Sequence, residues 1–409
     1  MARSSITAPE CAIRVERRAL LAVAVLAILV ATLRPGGTTL PSGWSFDISS
    51  GEAALSEAIQ NLLLFVPLGV ALVLNGVRPL RAIAIGAGLS FSVEFLQQWI
   101  PGRDPSVGDI ATNTISAGVG VALMRFAPRW LMVSPRRSAW QAIGTALLAV
   151  VVWLGTGVLL RPSIPPPPYR EVRTPDFSQW GHYRGTVLET NAGPLPLSVV
   201  PLPLRITAVA GSRPPGRIAP LVAILDERDT KVLVVAVDGA DLALRYHTRA
   251  APLTLEQPDM RWRRAMAGIA PRDTFTVQAW RGEYGNCLSL NSARRCGLGY
   301  TIGDGWKLIF YPERWPGWVL GTLNSLWLAG CLMGIGYWGR RAGTGGNRRE
   351  RAVIVVAVSL ALLGMLIVPS VTGLNATSIN EWIGAIGGMG LGYGLASAGA
   401  LRTAHSARL

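Results

Sequence analysis

The residues with the most chemistry in them lie where the chain is most apolar. Asn61, Glu94, Gln97, Asp109 and Asn113 stand in or at the ends of hydrophobic runs, and Arg103 lies in the short loop between two of these runs. A glutamate inside a lipid-facing helix costs several kcal/mol by order of magnitude, so it must face its own bundle and find a partner. Arg103 is the nearest cation in sequence, and Asn61, Gln97 and Asn113 can complete the hydrogen bonds. Such a set has two chemical uses. It can hold the polar head of a ligand, or a carboxylate of raised pKa at Glu94 can act as a general base while Arg103 stabilises an anion. No Ser, Cys or His nucleophile stands beside the cluster in sequence, the chain has three histidines, and no metal-ligand spacing occurs. No catalytic residue is therefore assigned, and no metal or cofactor is expected. A third use of these residues is to staple helices together, since buried polar groups also specify packing.

The elements that must position these residues are membrane helices. Half of the chain is hydrophobic and 15% is charged, against about 25% charged in soluble domains. Eight stretches approach the roughly 17–25 residues that a span requires: 17–33, 60–77, 81–100, 108–126, 138–160, 316–338, 352–370 and 379–401. The first reads as an uncleaved signal-anchor, because no small-x-small cleavage site follows it. With the N-terminus in the cytoplasm, the inside segments hold seventeen arginines, whereas the short outside loops hold Arg34 and Arg103. That asymmetry sets the orientation, with both termini inside. It also accounts for the net charge of +15 without nucleic acid, which would want a basic patch on a folded soluble domain. In this orientation Asn61, Glu94, Asp109 and Asn113 converge on the outer leaflet. Glu94 lies about six residues, or roughly 9 Å, below the outer end of its span.

One long soluble segment, 161–315, interrupts the spans and is expected outside the cell membrane. It divides the chain into a 1–160 membrane part, the 161–315 segment, and a 316–409 membrane part. After a polyproline entry, short β-type runs follow at 204–209, 219–225, 232–237, 242–247, 274–280 and 306–311. Short strands at this spacing predict an all-β sandwich. The expected fold class is an all-α membrane bundle of about eight helices with an extracytoplasmic β-sandwich. Cys287 and Cys296, nine apart in an oxidising compartment, read as a disulfide-closed hairpin. Cys11 and Cys331 should stay unpaired. Near the C-terminus, Gly384, Gly387, Gly388, Gly390, Gly392 and Gly394 give small-xxx-small spacings for close helix contact, with Glu381 at the outer rim.

Two resemblances follow. Asn61 ahead of Phe65, Pro67 and Gly69, then Glu94 with Gln97, Arg103, and Asp109 with Asn113 before a small-residue helix, resemble the VanZ family. The likeness covers roughly the first 160 residues, with Ser116 and Ala117 where a Gly-rich pair is more usual. It implies an integral membrane protein of the cell envelope, associated with teicoplanin-type glycopeptide resistance. The 161–315 segment is similar by pattern to concanavalin-like, laminin-G-like domains, with 306–311 as the closing strand. That likeness implies a glycan or protein partner. It also makes Asp226, Asp229, Asp238 and Asp241 conceivable calcium ligands, although such Asp-rich turns are commoner as plain loops. The leading expectation is a binder of a lipid-linked or cell-wall precursor, a glycan, or a glycopeptide at the outer leaflet. Asn61, Glu94, Gln97, Arg103, Asp109 and Asn113 would be its contacts, and the sandwich would supply a second one. The alternative is a membrane-embedded enzyme acting on a lipid head group, with Glu94 as base. A small transporter is the third reading, weakened by the lack of evident inverted repeats.

Overall fold

A computed structural model describes residues 8–35, 40–41, 43–46, 53–177, 180–191, 204–212, 217–282 and 285–406. Each of the eight apolar stretches lies on helix: α1 (Ala8–Thr32), α2 (Ala54–Leu64) continuing as α3 (Val66–Leu74), α4 (Pro79–Gln97), α5 (Val107–Leu131), α6 (Pro135–Leu159), α7 (Gly317–Gly343), α8 (Arg348–Thr372) and α9 (Ile379–Ser406). Among the described residues, six of these runs are long and apolar enough to cross a membrane: α2 with α3, α4, α5, α6, α7 and α8. The protein is therefore membrane-integral. Helix α1, which carries Arg14, Glu16, Arg17 and Arg18, and helix α9 are not among the six. Pro67 explains why α2 and α3 are two helices: its ring excludes an N–H from the ladder, and the helix restarts at Val66.

The chain divides into two compact units, residues 1–133 and 134–409. In the first, α3 and α4 pack on α5 at very short range. A Cβ on Gly69 would stand 2.2 Å from the Ala117 carbonyl oxygen, and one on Gly120 would stand 2.2 Å from that of Val66. Only glycine permits this approach at both positions. Ile28 from α1 and Phe65, Leu68 and Val93 from α2–α4 fill the core beside it.

In the second unit, α9 lies along α7 in the same manner. Cβ atoms on Gly384, Gly388 and Gly392 would come within 2.2, 2.3 and 1.9 Å of the backbone oxygens of Ser325, Ala329 and Met333. Three of the six glycines read from sequence thus form a packing seam, whereas Gly387, Gly390 and Gly394 face open space; Glu381, one turn before Gly384, lies on the seam. Between α6 and α7 stands a β domain of two five-stranded antiparallel sheets. One has the order β1 (Arg170–Arg173), β4 (Ala219–Leu225), β5 (Lys231–Asp238), β6 (Asp241–Tyr246), β7 (Met260–Trp262). The other has the order β10 (Ala293–Leu298), β9 (Gly285–Leu290), β8 (Thr274–Gly282), β3 (Leu204–Val209), β2 (Thr186–Asn191). Strand β4, and β5 between Lys231 and Asp238, are uninterrupted apolar runs and are buried almost throughout, because both their faces are covered. Ala223, Val234, Ala236 and Ala243 form one of those faces, packed against Phe177 and Trp180. Strand β3 alternates buried and open residues, as a strand with one covered face must. Cys287 and Cys296 are bridged across the β9–β10 hairpin, whose turn has Asn291 in the left-handed region at φ 52°. Cys331 is free, and the side chain of Cys11 lies outside the described residues.

One expected strand is absent. Residues 306–311, the anticipated closing strand, instead overlap a 3-10 helix at Ile302–Leu308. The apolar alternation there is overridden by a local signal. Thr301 and Asp304 form a reciprocal capping box, with the Thr301 N–H donating to Asp304 at 2.7 Å. The four acidic residues singled out as conceivable calcium ligands are held by other partners. Asp226 accepts the backbone N–H groups of Arg228 and Thr230, Asp229 pairs with Arg170, Asp238 with Arg261 and Arg314, and Asp241 with Arg263.

Candidate functional site

The first unit gathers its polar residues at one end. The C-terminus of α1, helix α2, the C-terminus of α4 and the N-terminus of α5 meet there. The opposite end carries Arg17, Arg18, Arg78, Arg81, Arg125 and Arg129, where the Asn75 amide ties α3 to the Arg17 carbonyl at 2.9 Å.

Helix α5 begins with Ser106 as its cap, and the Ser106 hydroxyl accepts from the Asp109 N–H. In an ordinary capping box the acidic side chain three residues on would take the cap's own N–H in return. Here it does not. Glu94, from the last turn of α4, accepts the Ser106 N–H at 2.9 Å and is 2% exposed. The Asp109 carboxylate is thereby released from its cap and accepts instead from the Asn61 amide of α2 at 2.7 Å. Glu57, one turn before Asn61 on the same helix face, lies close enough to Asp109 for their charges to interact. Deeper in the bundle, Asn113 donates to the Ser90 hydroxyl at 3.0 Å, and its carbonyl oxygen is buried without a partner among the described residues. Ser116, one turn further, donates to the Leu62 carbonyl.

Gln97 and Arg103 have a different task. Gln97 donates to the Thr32 carbonyl at 2.9 Å, and Arg103 donates to the carbonyls of Ala31 and Arg34 at 2.8 and 2.9 Å. These are the open acceptors at the end of α1. A guanidinium there satisfies them and complements the negative end of the helix dipole. Among the described residues Arg103 forms no ion pair; its charge nonetheless reaches Glu94. A parallel bridge closes the same end: the Ser45 N–H donates to the Pro105 carbonyl, and the Val107 N–H to the Ser45 carbonyl.

The six residues singled out by sequence therefore fall into three groups. Asn61 and Asp109 bond to each other. Glu94 and Asn113 are buried with Ser106 and Ser90. Gln97 and Arg103 hold the end of α1. Sequence reasoning passed over Glu57, Ser90 and Ser106. Glu57 carried a usable signal, the four-residue spacing to Asn61. Ser106 carried another, the Ser-x-x-Asp pattern ahead of an apolar run. Ser90 carried none beyond its place in an apolar helix.

The family model described as VanZ/LLP1 matches residues 19–128. The matched segment runs from within α1 to the last turns of α5, and so holds all the residues of this cluster. The chain thus carries a VanZ-like domain inside a helical membrane protein. No curated protein and no solved structure matches the chain.

A second buried polar cluster lies in the other unit, outside the VanZ-like domain. Glu381 is 1% exposed and accepts from the Ser378 N–H at 2.8 Å, the Asn324 amide at 3.3 Å and the Thr301 hydroxyl. Asp304 takes the other Asn324 amide bond at 2.9 Å and pairs with Lys307 at 2.5 Å, while the Trp306 indole donates to the Asn324 carbonyl oxygen at 2.8 Å. This cluster fastens the 3-10 helix of the β domain onto α7 and α9. Gly303 is needed for it, since a Cβ there would stand 2.0 Å from a Glu381 carboxylate oxygen.

Proposed function

We propose that the VanZ-like domain binds the polar head of a lipid-linked or cell-wall precursor, or of a glycopeptide, at the outer leaflet. The observation that carries this is the Asp109 carboxylate. Glu94 has taken over its capping duty, so a charged group is held by Asn61 near a second carboxylate, Glu57, and one helical turn from Asn113, whose buried oxygen has no partner among the described residues. A group made only to cap α5 would need neither Glu94 nor Asn61. Exposed apolar side chains, Phe91 and Phe95 on α4 and Trp99 just beyond it, give the helix that carries Glu94 a lipid-compatible surface. A role in teicoplanin-type resistance is the cellular form of this reading.

The orientation belongs to the same proposal. In each unit the arginine-rich helix ends lie opposite the polar cluster or the β domain, and arginines favour the cytoplasmic side. A cytoplasmic reporter fused after Arg137 should be active, and one inserted near Ser163 should work only as a periplasm-type reporter. The opposite pair of results removes the outer-leaflet placement. The β domain is proposed as a concanavalin-like, laminin-G-like sandwich that meets a glycan or a protein.

Asp109→Asn and Glu94→Gln test the binding site. Both substitutes keep an oxygen acceptor for the existing hydrogen bond, so thermal stability in detergent should change by less than about 1 kcal/mol. If the charge meets the ligand, Asp109→Asn should abolish the chain's effect on teicoplanin susceptibility in an expressing host. Variants that keep both stability and that effect return the cluster to a purely structural role.

A further inference from the structure

A second site lies in the β-domain unit. A cavity of about 340 Å³ opens between the last residues of α6, the last residues of α8 and the edges of both sheets. That volume is near the lower end of the range for small-ligand sites, roughly 300–1,000 Å³. Three arginines line it, Arg161, Arg249 and Arg281, and among its described lining residues there is no aspartate or glutamate. Elsewhere in the β domain Arg245, Arg261, Arg263 and Arg314 are paired with acidic groups.

The three arginines are not equivalent. Arg161 is fixed: its Nε and Nη2 donate to the Thr372 and Val371 carbonyls at 2.8 and 2.6 Å, where it closes the end of α8. Its remaining N–H groups are left over from that task. Arg249 and Arg281 are exposed and have no ion-pair or side-chain hydrogen-bond partner among the described residues. The backbone at both is paired. The Arg249 N–H donates to the Arg161 carbonyl at 3.0 Å, and Arg281 faces Asn286 in the β8–β9 register. Asn286 is in turn held by the Tyr246 hydroxyl at 2.8 Å and by the Leu298 carbonyl.

We infer that this cavity binds a phosphate group, and that the phosphate is carried by an anionic lipid at the membrane surface. Guanidinium forks match phosphate oxygens in geometry and charge. The cavity floor is formed by Gly157–Arg161 and Thr372–Asn375, the ends of two helices that cross the membrane, so it stands at the depth of lipid head groups. A bound head group would neutralise the arginines and tie the β domain to the bilayer. This site lies outside the VanZ-like domain and does not depend on the function proposed for it.

The test uses the full chain, purified in detergent and stripped of lipid, with native mass spectrometry and thermal shift as readouts. Phosphatidylglycerol should be retained and should raise the melting temperature, and phosphatidylcholine should do so less. Arg249→Gln with Arg281→Gln should weaken phosphatidylglycerol binding by at least about tenfold, since charge-assisted bonds are lost. Arg136→Gln with Arg137→Gln, at the other end of α6, removes the same charge and should leave binding unchanged. Inorganic phosphate is the second arm. If millimolar phosphate binds and displaces phosphatidylglycerol, the phosphate site stands and a soluble phosphate is its source; if it does neither, the lipid is. The inference fails if the Arg249 and Arg281 variant binds phosphatidylglycerol as wild type does. It fails equally if both double variants weaken binding alike.

Discussion

Ser106-x-x-Asp109 at the start of α5 and Ser378-x-x-Glu381 at the start of α9 are the same local motif in the two units. At α9 the motif closes on itself. The Glu381 N–H donates to the Ser378 hydroxyl, and the Ser378 N–H donates to the Glu381 carboxylate. Thr301-x-x-Asp304 closes in the same way. At α5 only half of the box forms, because Glu94 of α4 holds the Ser106 N–H. A motif that local sequence can complete alone is thus completed from another helix, and the residue that would have served it turns to Asn61. Two of the three boxes serve architecture. The third has a carboxylate left over, which is why the VanZ-like domain and not the β-domain seam is read as the binding region.

The largest effect that sharpens this contrast lies at the architectural box. Glu381→Ala leaves the Ser378 N–H and one Asn324 N–H without their acceptor in a half-buried place, while the Thr301 hydroxyl keeps its bond to Asp304. Each stranded donor costs about 1–3 kcal/mol, so a loss of roughly 2 kcal/mol or more is expected in detergent unfolding. The β domain should loosen from α7 and α9 with it, which hydrogen exchange over residues 301–308 would report. A loss below about 1 kcal/mol, within the range of a single ordinary hydrogen bond, would mean that the seam is held by the glycine contacts alone.

The same contrast explains what could be read from the sequence. Membrane helices were legible because a span is a property of one continuous segment, and all eight apolar stretches lie on helix. The cysteine pair and five of the six proposed strands were legible because hairpins are local. The sixth, 306–311, was misread because its apolar spacing was weighed and the Thr301-x-x-Asp304 box just before it was not. That Asn61 and Asp109 share one end of the bundle follows from alternating span direction. The partners of Glu94, Gln97 and Arg103 do not follow, because each is a backbone group: a helix cap for Glu94, the α1 terminus for the other two. Nothing in a side-chain pattern marks which backbone groups a fold leaves open, and nearness in sequence drew Arg103 toward Glu94 when the acceptors were some seventy residues earlier in the chain.

A smaller effect probes the half-open box itself. If Glu94 displaces Asp109 from a position Asp109 could otherwise occupy, then Glu94→Ala should let Asp109 close its own cap, as Asp304 does three residues after Thr301. Closing it means giving up Asn61, so the two carboxylates compete for one N–H. Removing Glu94 alone should then cost only about 1 kcal/mol, because the Ser106 N–H regains an acceptor. Removing Asp109 alone should cost a similar amount, through the lost Asn61 bond. Removing both leaves the N–H with neither acceptor, and the double variant should lose more than the two single losses together, by about 1 kcal/mol. Strict additivity would mean that Asp109 cannot reach its cap and that its bond to Asn61 is the only arrangement open to it. The function then adds what stability cannot. Glu94→Ala keeps Asp109 and its charge but turns it back to the helix end, so it should remove the teicoplanin effect while the protein stays folded. A folded Glu94→Ala variant with the full effect would show that the direction in which Asp109 points does not matter, and the binding assignment would lose its central residue.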